Sequence, residues 1–360
     1  EGVPREPVGR PADDLDRTLL NRVQAGFPLE PRPFERLGAD LGVPEAEVLD
    51  RYRRMRAGPE PVIRQTSAIF DTRGLGHDST LVAFRIAEDR LEEAARELNR
   101  CPGISHNYER NGPLNLWFTL AVPPDARFTL EETVERLARR VGAAQTALLP
   151  TLELYKIGVR LDVTGAGAPE RRSAARREAT AAPAPAARPR GLPAARDVEL
   201  IRALQEDLEP VERPFLAPAA RLGLDEAEYL AEAERLLRER TMRRFAAVLR
   251  HQVAGFTANG MGVWNVPAER AAEVGATMAS FEAVTHCYRR PSFPHWPYSH
   301  YTMIHGRSVA EVEATARALS AATGITDYRL LFSRREFKKT RVSYFDPAYA
   351  RWEAELAQVT

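Results

Sequence analysis

Behind Asp16, a plausible N-cap, the apolar positions Leu19, Leu20 and Val23 recur at helical spacing. A second short helix is expected over Arg32 to Leu41, and a third over Glu45 to Met55 after the break at Gly42. The period then changes. Ile63 to Phe70, Ser79 to Ile86, Ser105 to Arg110 and Leu114 to Val122 read as strands, with helices at Arg90 to Arg100 and Leu130 to Val141 and a last strand near Leu152 to Leu161. From Asp197 to Phe345 the same layout is written again.

The repetition is visible residue by residue. Leu41-Gly-Val-Pro-Glu-Ala-Glu-Val-Leu49 returns as Leu222-Gly-Leu-Asp-Glu-Ala-Glu-Tyr-Leu230, six identities in nine at an offset of 181. Arg32-Pro33-Phe34 returns as Arg213-Pro214-Phe215, His106-Asn107-Tyr108 as His286-Cys287-Tyr288, and Tyr155-Lys156 as Phe337-Lys338. Duplication followed by divergence accounts for this order. The segment between the copies, 164–195, is dominated by Ala, Pro, Arg and Gly and has no aromatic or Ile to anchor a core. It reads as a flexible linker; about thirty such residues span about 50 Å or more, enough for the halves to pair as a pseudo-twofold dimer.

The expected fold is α+β, a tandem repeat of a winged helix-turn-helix head and a βαββαβ ferredoxin-like sheet domain. The expected boundaries are heads at 14–62 and 196–243, sheet domains at 63–163 and 244–346, and a C-terminal helix at 347–360.

Charge changes the picture of the heads. Lys+Arg of 51 against Asp+Glu of 50 leaves no bulk field toward nucleic acid or an anionic membrane. The third helix opens with Glu45, Glu47 and Asp50, and its counterpart with Asp225, Glu226 and Glu228. Those carboxylates suit the helix dipole and would oppose phosphates in a groove. Arg51, Arg53, Arg54 and Arg56 follow, either touching a backbone or forming a solvated face. Base readout is not expected. Two cysteines, Cys101 and Cys287, make neither a disulfide scaffold nor a Cys-based metal cage. No stretch approaches a membrane span and the start lacks an apolar signal core, so a cytoplasmic protein is expected.

The candidate chemistry lies on the strands, where residues two apart share a face. His106, Tyr108 and Arg110 therefore line one face, as do His286, Tyr288 and Arg290 in the second copy. A titratable imidazole, a phenol and a guanidinium on one rigid surface can bind a carboxylate and move a proton. Four of the seven histidines, His286, His295, His300 and His305, fall within twenty residues among Trp296, Tyr298 and Tyr301. Their spacing is poor for metal ligands and suits an aromatic, cationic wall for a large planar polyanion. Strand parity lets only one of His300 and His305 point inward. No phosphate loop, dinucleotide fingerprint or nucleophile elbow is present.

These motifs carry a resemblance. In the first half it rests on Gly26-Phe27-Pro28-Leu29, Arg32-Pro33-Phe34, Pro102-Gly103-Ile104-Ser105-His106-Asn107-Tyr108, Asn115-Leu116-Trp117-Phe118-Thr119 and Tyr155-Lys156-Ile157-Gly158-Val159-Arg160. In the second it rests on Thr285-His286-Cys287-Tyr288-Arg289-Arg290, His295-Trp296-Pro297-Tyr298 and Met303-Ile304-His305-Gly306. The chain resembles siroheme decarboxylases in their fused two-subunit form, which share their fold with Lrp/AsnC regulators.

The resemblance implies removal of the C12 and C18 acetate carboxyls of siroheme as CO2, giving 12,18-didecarboxysiroheme on the way to a d-type or alternative haem. It implies siroheme as the small-molecule partner, with no added cofactor because the iron belongs to the substrate, and no protein metal site. Neither nucleic acid nor membrane is an expected partner, and a homo-oligomer of the fused chain is possible. His106 and His286 would serve as proton donors or iron-side contacts; Arg110, Arg290, Arg289 and Lys156 would clamp acetate and propionate groups; Tyr108, Tyr288, His295, Trp296, His300 and Tyr301 would shape the pocket. The competing reading is a tetrapyrrole-responsive regulator of the same fold, which binds duplex DNA and performs no chemistry.

Overall fold

The computed structural model describes residues 13–59, 61–157, 193–249 and 258–358. Most of the expected linker, with Gly158, Val159 and Arg160 of the quoted motif, lies outside the described residues.

Two compact units result, one from Glu1–Leu75 with Arg190–Ala254 and one from Gly76–Pro189 with Gly255–Thr360. In the first unit each half contributes three helices and a strand: α1 (Asp14–Ala25), α2 (Pro33–Leu41), α3 (Glu45–Arg56) and β1 (Ile63–Phe70), then α6 (Ala195–Gln205), α7 (Leu216–Arg221), α8 (Glu226–Arg238) and β7 (Met242–Leu249). Gly42, at φ 72°, ends α2 in the left-handed region that a side chain disfavours.

Two expectations are corrected here. The N-cap of α1 is Asp13, whose carboxylate accepts from the Asp16 N–H at 2.8 Å. Asp16 itself is buried in the first turn, accepting from Arg51 at 3.0 Å and Arg54 at 2.5 Å. β1 does not open the sheet domain either; it pairs antiparallel with β7 as a separate two-stranded sheet, one strand from each half. Alternation marks a strand but does not name its partner.

The second unit holds the site. It contains β2 (Asp78–Arg85), α4 (Leu91–Asn99), β3 (Ile104–Arg110), β4 (Leu116–Val122), α5 (Leu130–Val141), β5 (Gln145–Leu149) and β6 (Glu153–Ile157) from the first half. From the second half come β8 (Ala258–Trp264), α9 (Ala271–Ala279), β9 (Val284–Arg289), β10 (His300–Gly306), α10 (Val309–Thr323), β11 (Tyr328–Lys339) and α11 (Pro347–Ala357). The strand order is β5-β2-β4-β3-β11-β8-β10-β9-β6. Each half shows the ferredoxin-like order, with β5, not the strand near Leu152, as the closing strand of the first. That five-residue strand before Pro150 carries no clear alternation and was not expected.

β11 changes layers along its length. Its first part pairs with β8 and its second with β3 of the other half. In the first half the same path is broken at 150–152, so β5 pairs with β2 and β6 crosses to β9. Each half thus lends a strand end to the other, and the array folds into two facing layers. Lys338 Nζ donates to the carbonyls of Asn99 (3.0 Å) and Cys101 (3.1 Å), and Lys156 Nζ to that of Phe281 (2.7 Å), pinning the lent strands to the other half.

Between the layers lies one core of Ala83, Trp117, Leu149, Met261, Val263, Trp296 and Tyr301. α4, α5 and the α11 residues Tyr349 and Trp352 cover the outer face of the first layer, and α9 and α10 that of the second. Where α4 turns into β3 the backbone runs so close to β4 that a methyl on Gly103 would collide with the Ala121 carbonyl oxygen. Because that obstacle is backbone, Gly103→Ala is expected to lower stability by about 1–3 kcal/mol in a urea titration.

Candidate active site

The pairing register fixes which strand residues face inward. On β3, His106 stands opposite Thr119 and Tyr108 opposite Trp117, both on the inter-layer face. On β9, His286 stands opposite Met303 and Tyr288 opposite Tyr301, again facing inward. The two His–Tyr pairs sit with ring centroids 6.1 Å and 6.0 Å apart. Behind each histidine the preceding residue forms a small bulge and supplies a hydroxyl: Ser105 Oγ lies 2.9 Å from His106 Nδ1, and Thr285 Oγ1 lies 2.9 Å from His286 Nδ1. These hydroxyls fix the imidazole planes through Nδ1.

The arginines repeat the symmetry. Arg110 donates to the Leu331 carbonyl at 3.1 Å, and Arg290 donates to the carbonyl of Leu149. Arg110 lies 5.4 Å from the Tyr108 ring centroid; Arg290 lies 4.9 Å from that of Tyr288 and 5.6 Å from that of Tyr301. They differ in access. Arg110 is 6% exposed and burial brings its pKa down to about 10, whereas Arg290 is only partly buried. Two matched inward faces result, one on β3 and the end of β11, the other on β9 and β6.

Several expected site residues lie elsewhere. Lys156 and Arg289 fall on the outer face, Lys156 at the Phe281 carbonyl and Arg289 beside Glu153 at 3.7 Å. His300 is also on the outer face: fully buried, stacked on Tyr155 at 5.6 Å, with Nε2 3.0 Å from the Ala271 carbonyl. His295 is exposed at the tip of a tight turn closed by the Phe293–Trp296 bridge. Trp296 is 1% exposed in the inter-layer core, where it packs on Trp117 at 5.5 Å and donates to the Tyr301 hydroxyl at 2.7 Å. Of that group only Tyr301 stands beneath a site cation. The parity alternative left open for His300 and His305 resolves in favour of His305, which shares the inward parity of Tyr301 and Met303. Thr285, Ser105 and the β6 residue Ile157 stand in the motifs quoted for the resemblance without a site role of their own; the bulges and the strand exchange that place them have no signature in a single chain.

Burial pushes the His300 imidazole down to about 4 from its ordinary 6.5. A histidine with a depressed folded pKa leaves stability intact above its unfolded pKa and costs stability as the pH falls through the folded value. Acidification from neutrality to about pH 4 is therefore expected to remove about 3 kcal/mol through this residue, and His300→Gln to flatten that slope in urea titrations across the range.

The heads leave little for DNA. Arg51 is held by Asp13, Asp16 and Glu47, Arg54 by Asp16, Arg53 by the Pro210 carbonyl, and Arg56 by Asp207 and the Leu208 carbonyl. The cations of the third helix are committed within the head unit.

Comparison with known proteins agrees with this architecture. The model of the AsnC-like ligand binding domain matches residues 74–156 and 253–338, and that of the siroheme decarboxylase NirDL-like HTH domain matches 16–64 and 197–243. The siroheme decarboxylase of Hydrogenobacter thermophilus is 37% identical over 338 residues, covering 94% of this chain and 97% of that one. The siroheme decarboxylase NirDL subunit of Paracoccus denitrificans is 35% identical over 331 residues, covering 91% and 96%. A crystal structure of the siroheme decarboxylase NirDL in co-complex with an iron-uroporphyrin III analogue superposes with a TM-score of 0.75 at 33% identity, covering 96% of this chain and 99% of that one. Two heads, two ferredoxin-like halves and 35–37% identity over more than nine-tenths of the chain agree: the chain belongs to the siroheme decarboxylase family, in its fused NirDL form.

Proposed function

We propose that this chain removes the C12 and C18 acetate carboxyls of siroheme as CO2, yielding 12,18-didecarboxysiroheme, with no cofactor beyond the iron of the substrate. The observation that carries the reading is the inward imidazole of His286, held at Nδ1 by Thr285 on the face it shares with Tyr288 and beside the cation of Arg290. The chemistry needs that set. When the C–C bond to the carboxyl breaks, its electron pair passes into the conjugated ring, and the former acetate carbon must then take one proton to become a methyl. A histidine donates that proton from Nε2 and recovers it from water. Arg290 holds a neighbouring carboxylate and is reachable from solvent.

His106, Tyr108 and Arg110 repeat the set on the other layer. Lys156, Arg289, His295, His300 and Trp296 take no part in holding the substrate, since each is turned to the outer face, exposed at a turn tip or packed in the core. A regulator of DNA has less support, because the arginines of α3 are spent on acids and carbonyls of their own unit. Trapping the gas released by purified protein incubated anaerobically with siroheme tests the reading: two equivalents of CO2 per siroheme support it, and none overturns it.

A further inference from the structure

The outer, helical face of the first layer carries a feature that its duplicate lacks. A hollow of about 440 Å3 lies along α4 and the last turn of α5, lined by Arg90, Arg96, Arg100 and Arg140 with Glu93 and Glu97 as its acids. Both carboxylates are already engaged. Glu97 holds Arg140 at 2.5 Å and Arg100 at 3.3 Å, Arg100 also reaches Glu355 at 2.5 Å, and Glu93 stands 3.6 Å from Arg90. Arg96 is exposed and has no ion-pair partner among the described residues. Nη1 of Arg140 is shut off from solvent and meets no acceptor among them either.

Arginines and glutamates on helices are ordinarily no more than a solvated face, and the duplication provides the control. α9 repeats α4 at an offset of 180, so Arg90, Arg96 and Arg100 answer to Arg270, Ala276 and Ser280. Arg140 and Ala322 each stand two residues before a capping glycine, Gly142 at φ 66° and Gly324 at φ 70°. Arg90 and Arg270 share a scaffold position, each with its guanidinium over that glycine. The other three guanidinium groups belong to the first half alone. Packing on the sheet does not call for them, since Ala, Ser and Ala serve in the second half.

We infer that this hollow binds a small anion carrying several phosphate groups, independently of the tetrapyrrole chemistry on the inner faces. Planar guanidinium forks grip phosphate oxygens through paired, charge-assisted hydrogen bonds. Arg90 and Arg100 flank α4 at its two ends, about 15 Å apart at 1.5 Å per residue, with Arg96 and Arg140 beside it. A chain of charges suits that spacing better than a single carboxylate. An oxygen of the ligand at Arg140 Nη1 also gives a sheltered donor its acceptor. No aromatic ring is among the lining residues, so neither a base nor a macrocycle finds a surface to stack on.

The test is isothermal titration calorimetry of the full chain with inorganic tripolyphosphate, at about 50 mM salt so that exposed charges are not fully screened. One tripolyphosphate per chain is expected, with orthophosphate bound about tenfold more weakly or worse. Replacing both Arg96 and Arg140 by Ala writes the second half's residues into the first. That change is expected to weaken tripolyphosphate binding by about tenfold or more. Arg96→Ala alone breaks no contact of the fold, and a loss of about threefold or more is expected from it. Circular dichroism identifies any variant that fails to fold. No heat at millimolar tripolyphosphate would overturn the inference. So would unchanged affinity in the folded double variant, or adenosine triphosphate bound more than about tenfold tighter than tripolyphosphate, which would mean that a base is recognised.

Discussion

Replacing His286 by alanine is expected to slow CO2 release by about two to four orders of magnitude while leaving siroheme affinity within about tenfold. The separation follows from where the residue acts. Ring contacts and carboxylate clamps operate in the ground state as well as the transition state, so losing one of them raises the dissociation constant. A proton donor acts only as the new methyl C–H bond forms, so its loss falls on the rate. The orienting hydroxyl offers a graded version. Thr285→Val keeps the shape of the side chain and removes the oxygen 2.9 Å from His286 Nδ1, so the imidazole remains but its plane and tautomer are released. A loss of about tenfold in rate, smaller than that of His286→Ala, is expected in single-turnover experiments. If His286→Ala instead abolished binding with little change in the rate of what remained bound, the residue would be an iron or wall contact and the proton would come from elsewhere.

Trp296→Ala is expected to lower the unfolding free energy by about 3–5 kcal/mol, the largest stability effect of any single change considered. Trp296 sits in a segment with Pro at 291, 294 and 297, and the resemblance implies a place for it in the pocket wall. Instead its indole fills the space between the layers against Trp117, Tyr298 and the Tyr301 hydroxyl. Truncation leaves a cavity and removes a buried hydrogen bond together. Because Tyr301 underlies Arg290, some loss of siroheme affinity is expected to accompany the loss of stability. Unchanged denaturation with severely weakened binding would return Trp296 to the pocket wall.

How much of this was legible in the chain varies with the kind of information required. The duplication, the three-helix heads and the shared face of each triplet follow from offsets and parity, which are local; which side that face looks to does not. His106 and Tyr108 share a face because strands alternate, and the register across β4 agrees. What failed depended on partners. The motif groups Lys156 and Arg289 with the site, but the bulge between Leu154 and Lys156 turns Lys156 outward, and plain alternation with Tyr288 and Arg290 already puts Arg289 on the other face. β1 was assigned to the sheet because it looks like a strand, although its partner lies in the other head. Asp16 was read as a cap because it precedes an apolar run; it is a buried acid made tolerable by Arg51 and Arg54, which are distant in sequence. That β6 pairs with β9 of the other half is written in neither half's pattern. Strand exchange between duplicated halves leaves no trace in either half alone.

The central claim is that this chain, by itself, converts siroheme to its didecarboxylated form. Mass spectrometry of the tetrapyrrole extracted after anaerobic incubation with the purified protein tests it most directly. The account predicts a product lighter than siroheme by two CO2 units, with both lost carboxyls mapped to the acetate side chains at C12 and C18. Siroheme recovered unchanged, from protein shown to bind it, would contradict the account.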